Sequence, residues 1–168
     1  MKRKSILILT DSLAFPRTLP EEVKYSETYI SLLKHKFPGI DFIHYGHGGS
    51  TLPNLYEYSS YYHETLDPFL VIIQCGIVDC APRALTLTES QILKRIPLFN
   101  RPLLYLVKKY SKNLRKYRKI SYSSLDEFET YIEMFEKIFS KIIWIAIMPP
   151  PKSYIEKVPN IEINCNIL

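Results

Sequence analysis

No apolar run in the sequence approaches the roughly 18 residues that a membrane-spanning helix needs. The first one, Ile6 to Leu9, is also too short for the core of a signal peptide, and Asp11 follows almost at once. It reads as a first strand, so export is not expected and a cytoplasmic setting is. Cysteine is scarce: the chain has three, at 75, 80 and 165, and an odd number excludes a closed disulfide framework. Cys75 and Cys80 form a C-x4-C with no second pair and no nearby His, which is not a zinc spacing. They are expected to be small, reduced core residues. Neither a metal nor a cofactor is implied, because no G-x-G-x-x-G or P-loop pattern occurs. Acidic residues are missing from one long stretch. Between Ser90 and Leu125 there is no Asp or Glu, against ten Lys or Arg, so the net charge of +5 understates a strongly uneven distribution.

What is present suits an ordinary folded domain. The 168 residues, 46% hydrophobic and 23% charged, read as a single domain over 1–168, long enough to bury about two thirds of the unfolded surface. Lys4 to Leu9 has the β-branched, apolar character of a buried strand. Val23 to Phe37 carries Tyr25, Tyr29, Leu32, Leu33 and Phe37 near helical spacing, and Pro38-Gly39 ends that helix. Asp41 to Tyr45 reads as a second strand, and "PFLVIIQCG" as a central parallel strand covered on both faces. "SSLDEFETYIEMFEKIFSK" opens with a capping box, Ser124 with Glu127, and lines Leu125, Phe128, Tyr131, Ile132, Phe135 and Phe139 along one helical face. "IIWIAIMPPP" reads as a last buried strand stopped by prolines. The order β-α-β-(α)-β-α-α-β predicts a doubly wound α/β sheet with right-handed crossovers. No internal repeat or low-complexity linker interrupts it.

Ligands of such sheets bind beyond the carboxyl ends of the strands. The residues there are Thr10-Asp11-Ser12, Gly46-His47-Gly48-Gly49-Ser50-Thr51, Gly76-Ile77-Val78-Asp79 and Met148-Pro149-Pro150. Three of these four corners are polar or glycine-rich. Taken alone, "TDS" is also what a strand-to-helix corner with a capping Asp or Ser looks like. "GHGGST" alone is a flexible βα loop, and Asp79 with Arg83 alone suggests a buried ion pair fixing the loop after the third strand.

Together the corners resemble the SGNH/GDSL hydrolases, a family of esterases and acyl-transfer enzymes with a three-layer α/β/α, flavodoxin-like fold and a central parallel sheet. "TDSLA" is similar to the first block of that family, a GDSL-like turn that carries the nucleophilic serine. "GGST" resembles the second block, whose glycine donates its backbone N–H to the oxyanion. "QCGIVDCAPR" resembles the third, normally G-x-N-D. The resemblance implies Ser12 as nucleophile, with the N–H groups of Ser12 and Gly49 in the oxyanion hole. At Gly48 or Gly49 the missing Cβ would let backbone approach a substrate carbonyl. Asp11 and Asp79 would organise their loops, while His47, Gly48, Ser50 and Arg83 would line the substrate site. The form "GIVDCAPR" looks like a branch associated with bacterial surface polysaccharides, which implies O-acyl groups on sugars as substrates.

Two departures matter. The Asn of the third block, an oxyanion donor, falls on Val78, and losing one such donor costs ~10²–10³ in turnover. The general base of the family is a His in a D-x-x-H block near the C-terminus, whereas no His follows His63 here. Asp41-Phe42-Ile43-His44 has the letters of that block but lies in the second strand, ahead of the second block, and residues three apart on a strand point to opposite faces. Removing the His of a serine triad costs on the order of 10⁶ in kcat. The expectation is therefore a weak or inactive hydrolase, from a C-terminally truncated chain. The alternatives are a non-catalytic flavodoxin-like module that binds a glycan or other anionic ligand, or recruitment of His47 as base.

The basic stretch is expected to be an insertion over 86–119 between strands three and four. In "RPLLYLVKKYSKNLRKYRK", Leu103, Val107, Tyr110, Leu114 and Tyr117 share a helical face and cations crowd the remainder. An amphipathic helix with a solvated basic face is the plain reading. Contact with an anionic membrane surface, an acidic glycan or nucleic acid are the functional ones. Nucleic acid ranks last because no binding motif accompanies the charge. The sequence leaves the oligomeric state open.

Overall fold

The computed structural model of the chain describes residues 4–19, 21–96, 100–147, 149–150, 152–156 and 158–161. In chain order the elements are β1 (Ser5–Thr10), α1 (Tyr29–Lys36), β2 (Asp41–Gly46), α2 (Leu52–Tyr58), α3 (Ser60–Thr65) and β3 (Leu70–Gln74). There follow α4 (Ile77–Cys80), α5 (Leu87–Arg95), α6 (Asn100–Lys109), α7 (Ser111–Arg118), α8 (Leu125–Ile138), β4 (Ile142–Trp144) and α9 (Lys152–Ile155). They divide into two compact units, Met1–Cys75 with Asp126–Ile147, and Gly76–Leu125 with Met148–Leu168.

The first unit holds the whole sheet, in the order β2-β1-β3-β4. All three pairings are parallel, with Thr10 opposite Gly46 on one side and Gln74 on the other. Alternation along β1 divides its apolar residues between two layers. Ile6 and Ile8 join Phe42, Ile72, Ala14 and Ile30 in one cluster, against which Tyr29 and Leu33 of α1 pack. Leu7 and Leu9 therefore face the other way, as do Val71 and Ile73, and all four are fully buried. On that second face Phe135 of α8, also fully buried, takes Tyr56, His63 and Trp144 edge-on, at ring-centroid distances of 5.0, 5.5 and 6.0 Å. Helices thus cover both faces of a parallel sheet, the expected architecture.

Two boundaries differ from the sequence reading. The helix expected from Val23 begins only at Tyr29. Tyr25–Glu27 forms a 3-10 turn, with the Glu27 carboxylate accepting from the Lys24 N–H at 2.7 Å. Thr28 then caps α1, its hydroxyl donating to the Tyr25 carbonyl at 2.7 Å and accepting from the Ser31 N–H at 3.3 Å. The last strand is also shorter than the apolar run "IIWIAI". Ile145 N–H still donates to the Ile73 carbonyl at 2.8 Å, but β3 ends one residue later, at Gln74, and offers nothing further to pair with. Met148 of the expected fourth corner and Cys165 lie outside the described residues. Cys75 and Cys80 are buried core residues, as expected.

The second unit is helical. Thr86 and Glu89 form a reciprocal capping box at the start of α5, with bonds of 2.9 and 3.1 Å. The same Glu89 carboxylate receives both arms of the Arg118 guanidinium, each at 2.7 Å, tying the start of α5 to the end of α7. The basic stretch is two helices rather than one. Tyr110 takes φ −99°, ψ 11° between α6 and α7, where Tyr110-Ser111 pairs two weak helix formers. Hydrogen bonds continue on either side, Tyr110 N–H to the Leu106 carbonyl and Leu114 N–H to the Tyr110 carbonyl, both 2.9 Å.

Phe135 sits at the centre of the second core layer, so Phe135→Ala is expected to lower unfolding stability by about 3–5 kcal/mol. Tyr61, 70% exposed, should change by no more than about 0.5 kcal/mol on replacement by Ala. Urea unfolding of both variants checks the contrast.

Candidate active site

The reversal of winding direction lies between β1 and β3, because the chain places β2 on one side of β1 and β3 on the other. Loops leaving the carboxyl ends of such strands diverge and open a crevice. At this end β1 is held from both sides: Asp11 N–H donates to the Gln74 carbonyl at 3.0 Å, and His47 N–H donates to the Thr10 carbonyl at 2.9 Å. Thr10 is fully buried, and its hydroxyl pairs with Nε2 of His44 at 2.8 Å. The two side chains meet because His44 lies opposite Ile8, two residues before Thr10 on the same face. Burial lowers the His44 pKa, with the Lys34 charge adding to the effect, so the imidazole serves as a neutral hydrogen-bonding partner. His44 of the apparent D-x-x-H is thus a strand residue engaged with the end of β1.

Asp11 is fully buried. Its Oδ1 accepts from the Leu13 N–H at 2.8 Å, capping a 3-10 turn over Ser12–Ala14 that closes with Phe15 N–H on the Ser12 carbonyl at 3.1 Å. Ser12 is therefore the first residue of a tight turn immediately after a buried strand end, and it is exposed. Among the described residues Asp11 Oδ2, the Tyr29 hydroxyl and Gln74 Oε1 are buried without a hydrogen-bond partner. Burial pushes the Asp11 carboxyl above its usual range, opposed in part by the Leu13 bond. Burial, with the Asp11 charge as a second cause, pushes the Tyr29 hydroxyl up to about 12.

The glycines of the second loop stand in three different settings. The Phe15 ring occupies the place of a side chain at Gly46, where a Cβ would overlap the ring edge. Gly48 lies beside the nucleophile candidate: a Cβ there would stand 3.8 Å from both Ser12 Cβ and Phe15 Cε2. Gly49 has open space around it, and its requirement is torsional, φ +75°. His47 is exposed and Ser50 is buried; Nδ1 of His47 pairs with the Ser50 hydroxyl at 2.8 Å, and its ring meets Tyr58 at 4.9 Å. Thr51 caps α2 through the Asn54 N–H at 3.3 Å.

Asp79 and Arg83 belong to the second unit. Gly76, at φ 121°, precedes α4. Asp79, fully buried, accepts from the Ser123 hydroxyl at 2.6 Å. Arg83 donates to the Val78 carbonyl at 3.0 Å and lies 4.3 Å over the Tyr122 ring. Val78, where the resemblance would put an amide donor, contributes only backbone here.

No family model and no curated protein matches the sequence. Solved structures do. A lipase/acylhydrolase from Enterococcus faecalis superposes with a TM-score of 0.59 at 17% identity, covering 98% of this chain and 67% of that one. The likeness is one of fold: a parallel sheet with helices on both faces. An acetylxylan esterase from Geobacillus stearothermophilus, Axe2, agrees with a TM-score of 0.52 at 17% identity, over 98% of this chain and 69% of its own. In this fold Ser12 stands at the corner after β1. Sequence reasoning found that corner but not its fittings: Thr10 with His44, Phe15 over Gly46, and Tyr29 near Asp11. Nothing in the residue types signals them, since each pairing is made by strand register or by the turn.

Gly46→Ala is expected to destabilise the fold by about 1–3 kcal/mol through overpacking against Phe15. Adding Phe15→Ala should recover part of that loss, giving a coupling of about 0.5–3 kcal/mol in a double-mutant cycle. Strictly additive costs would show that the ring does not set the requirement. Asp11 binds its proton more tightly when folded than when unfolded. Its contribution to stability is therefore fully present below the ordinary value of 3.8 and declines as pH rises through the raised folded value. Asp11→Asn keeps the capping oxygen and removes the titration. Its stability relative to the natural chain should climb with pH across that window in parallel denaturant titrations.

Proposed function

We propose that this chain is an ester hydrolase or acyl-transfer enzyme acting through Ser12. The seat of the serine carries the reading: an exposed residue at the first position of a capped turn, fixed from behind by buried Asp11 and flanked by Gly48. The Ser12 hydroxyl, exposed to solvent, attacks the ester carbonyl and gives its proton to water as the carbon–oxygen bond forms. The tetrahedral oxyanion is received by the backbone N–H groups of Ser12 and Gly49, groups oriented in advance and costing no reorganisation. Collapse expels the alcohol, which takes up a proton, and leaves an acyl-Ser12 that water or an acceptor alcohol then resolves. His47 is the substrate-contacting group of the second loop, held by Ser50, while Asp11 orders the turn without touching substrate. In the second unit Asp79 orders its own loop through Ser123.

The likeness to an acetylxylan esterase supports an O-acylated carbohydrate as the substrate class. Among the described residues no histidine hydrogen-bonds Ser12, so turnover is expected to be slow. Loss of a triad His is worth on the order of 10⁶ in kcat. A serine-directed fluorophosphonate tests the nucleophile directly. The natural chain should label and Ser12→Ala should not, whereas failure to label at high probe concentration would leave the non-catalytic binding module as the reading. His47→Ala should label at nearly the rate of the natural chain, and a loss beyond tenfold would identify His47 as the base.

A further inference from the structure

The second unit carries a surface that the proposed chemistry does not use. α6 is exposed along almost its whole length, yet its middle, Leu103 to Val107, is apolar. Leu104, Tyr105 and Leu106 are 37%, 64% and 46% exposed, and Tyr110 and Tyr117 beyond it 49% and 79%. Between α5 and α6 an open groove of about 240 Å³ is lined by Leu85, Ile92, Leu93, Ile96, Leu103 and Val107, together with Glu89. Soluble surfaces rarely leave so much apolar area together without an occupant.

Charge identifies the occupant. Lys108, Lys109, Lys112, Lys116 and Lys119 are all exposed on or beside these helices. The one acid within 85–119, Glu89, is already engaged by Arg118. A second copy of the chain would bring the same cations against these and be repelled. Nucleic acid would satisfy the cations but gives no return for exposed leucines. An anionic bilayer surface satisfies both at once: leucines and tyrosines enter the headgroup boundary while lysines reach the lipid phosphates. Among the described residues no helix is long and apolar enough to cross a membrane, which leaves adsorption in the interface plane as the mode of contact.

We infer that α6 and the start of α7 form a docking surface for anionic membrane lipid, through exposed Leu104, Tyr105, Leu106 and Tyr110 flanked by Lys108, Lys109 and Lys112. The surface stands whether or not Ser12 is a nucleophile.

The test is co-sedimentation of the full chain with vesicles of phosphatidylcholine alone or mixed with phosphatidylglycerol. Binding is expected to the mixed vesicles only, and to weaken as salt screens the cations. Lys108→Gln with Lys109→Gln and Lys112→Gln should weaken it on the order of a hundredfold. Leu104→Ser with Leu106→Ser, which keeps every charge, should weaken it at least tenfold. Three outcomes overturn the inference: no binding to mixed vesicles at low salt, equal binding to neutral ones, or unchanged binding by the serine variant. If duplex DNA displaces vesicles from a serine variant of undiminished affinity, the surface is a polyanion site for nucleic acid.

Discussion

Everything at the candidate site hangs from the carboxyl end of β1. That strand is central, its residues are buried from Ile6 to Asp11, and its last backbone groups bond to β3 on one side and to the loop after β2 on the other. A strand held on both edges cannot shift register without turning its alternating side chains to the wrong layer. The position of Ser12 is thereby fixed by the sheet rather than by the loop that contains it. The Asp11 cap converts the strand end into a turn within a single residue, and the serine is presented where the main chain leaves the core.

The loop after β2 adapts to this fixed point. Gly46 yields space to Phe15, Gly48 lies beside the serine corner, and Gly49 supplies a torsion that L-residues avoid. Around them the polar groups are held in unusual states: a buried carboxyl above its normal range, a tyrosine hydroxyl pushed up to about 12, and a histidine biased to neutrality. Such groups are retained at a cost in folding free energy, and they concentrate at functional corners more often than elsewhere. Here they gather behind the proposed nucleophile instead of around its hydroxyl, which fits a device for placement better than one for proton transfer.

The layered parallel sheet was legible because its strands are continuous apolar runs and its corners break abruptly into polar residues. β1 and the α8 stripe through Phe128 and Phe135 followed directly from that pattern. The start of α1 was not legible, since Thr28 overrides a helical period that runs back to Val23. Nor was the end of β4, where an apolar run continues after its neighbour has stopped. At the site, residue types marked Ser12, Gly48 and Gly49. The bond between Thr10 and His44 was hidden, because it depends on a parallel register that no local pattern reveals. The contacts of Asp79 with Ser123 and of Arg83 with Tyr122 were hidden as well, both partners being remote in sequence.

The bidentate grip of Arg118 on Glu89 has a consequence for the basic helices. It holds the Glu89 carboxyl down to about 2, and the stretch from Leu85 to Lys119 contains no histidine. Lysine and arginine keep their protons throughout the physiological range. With its one acid held by Arg118, the stretch presents cations alone, and whatever their charge attracts is screened by salt.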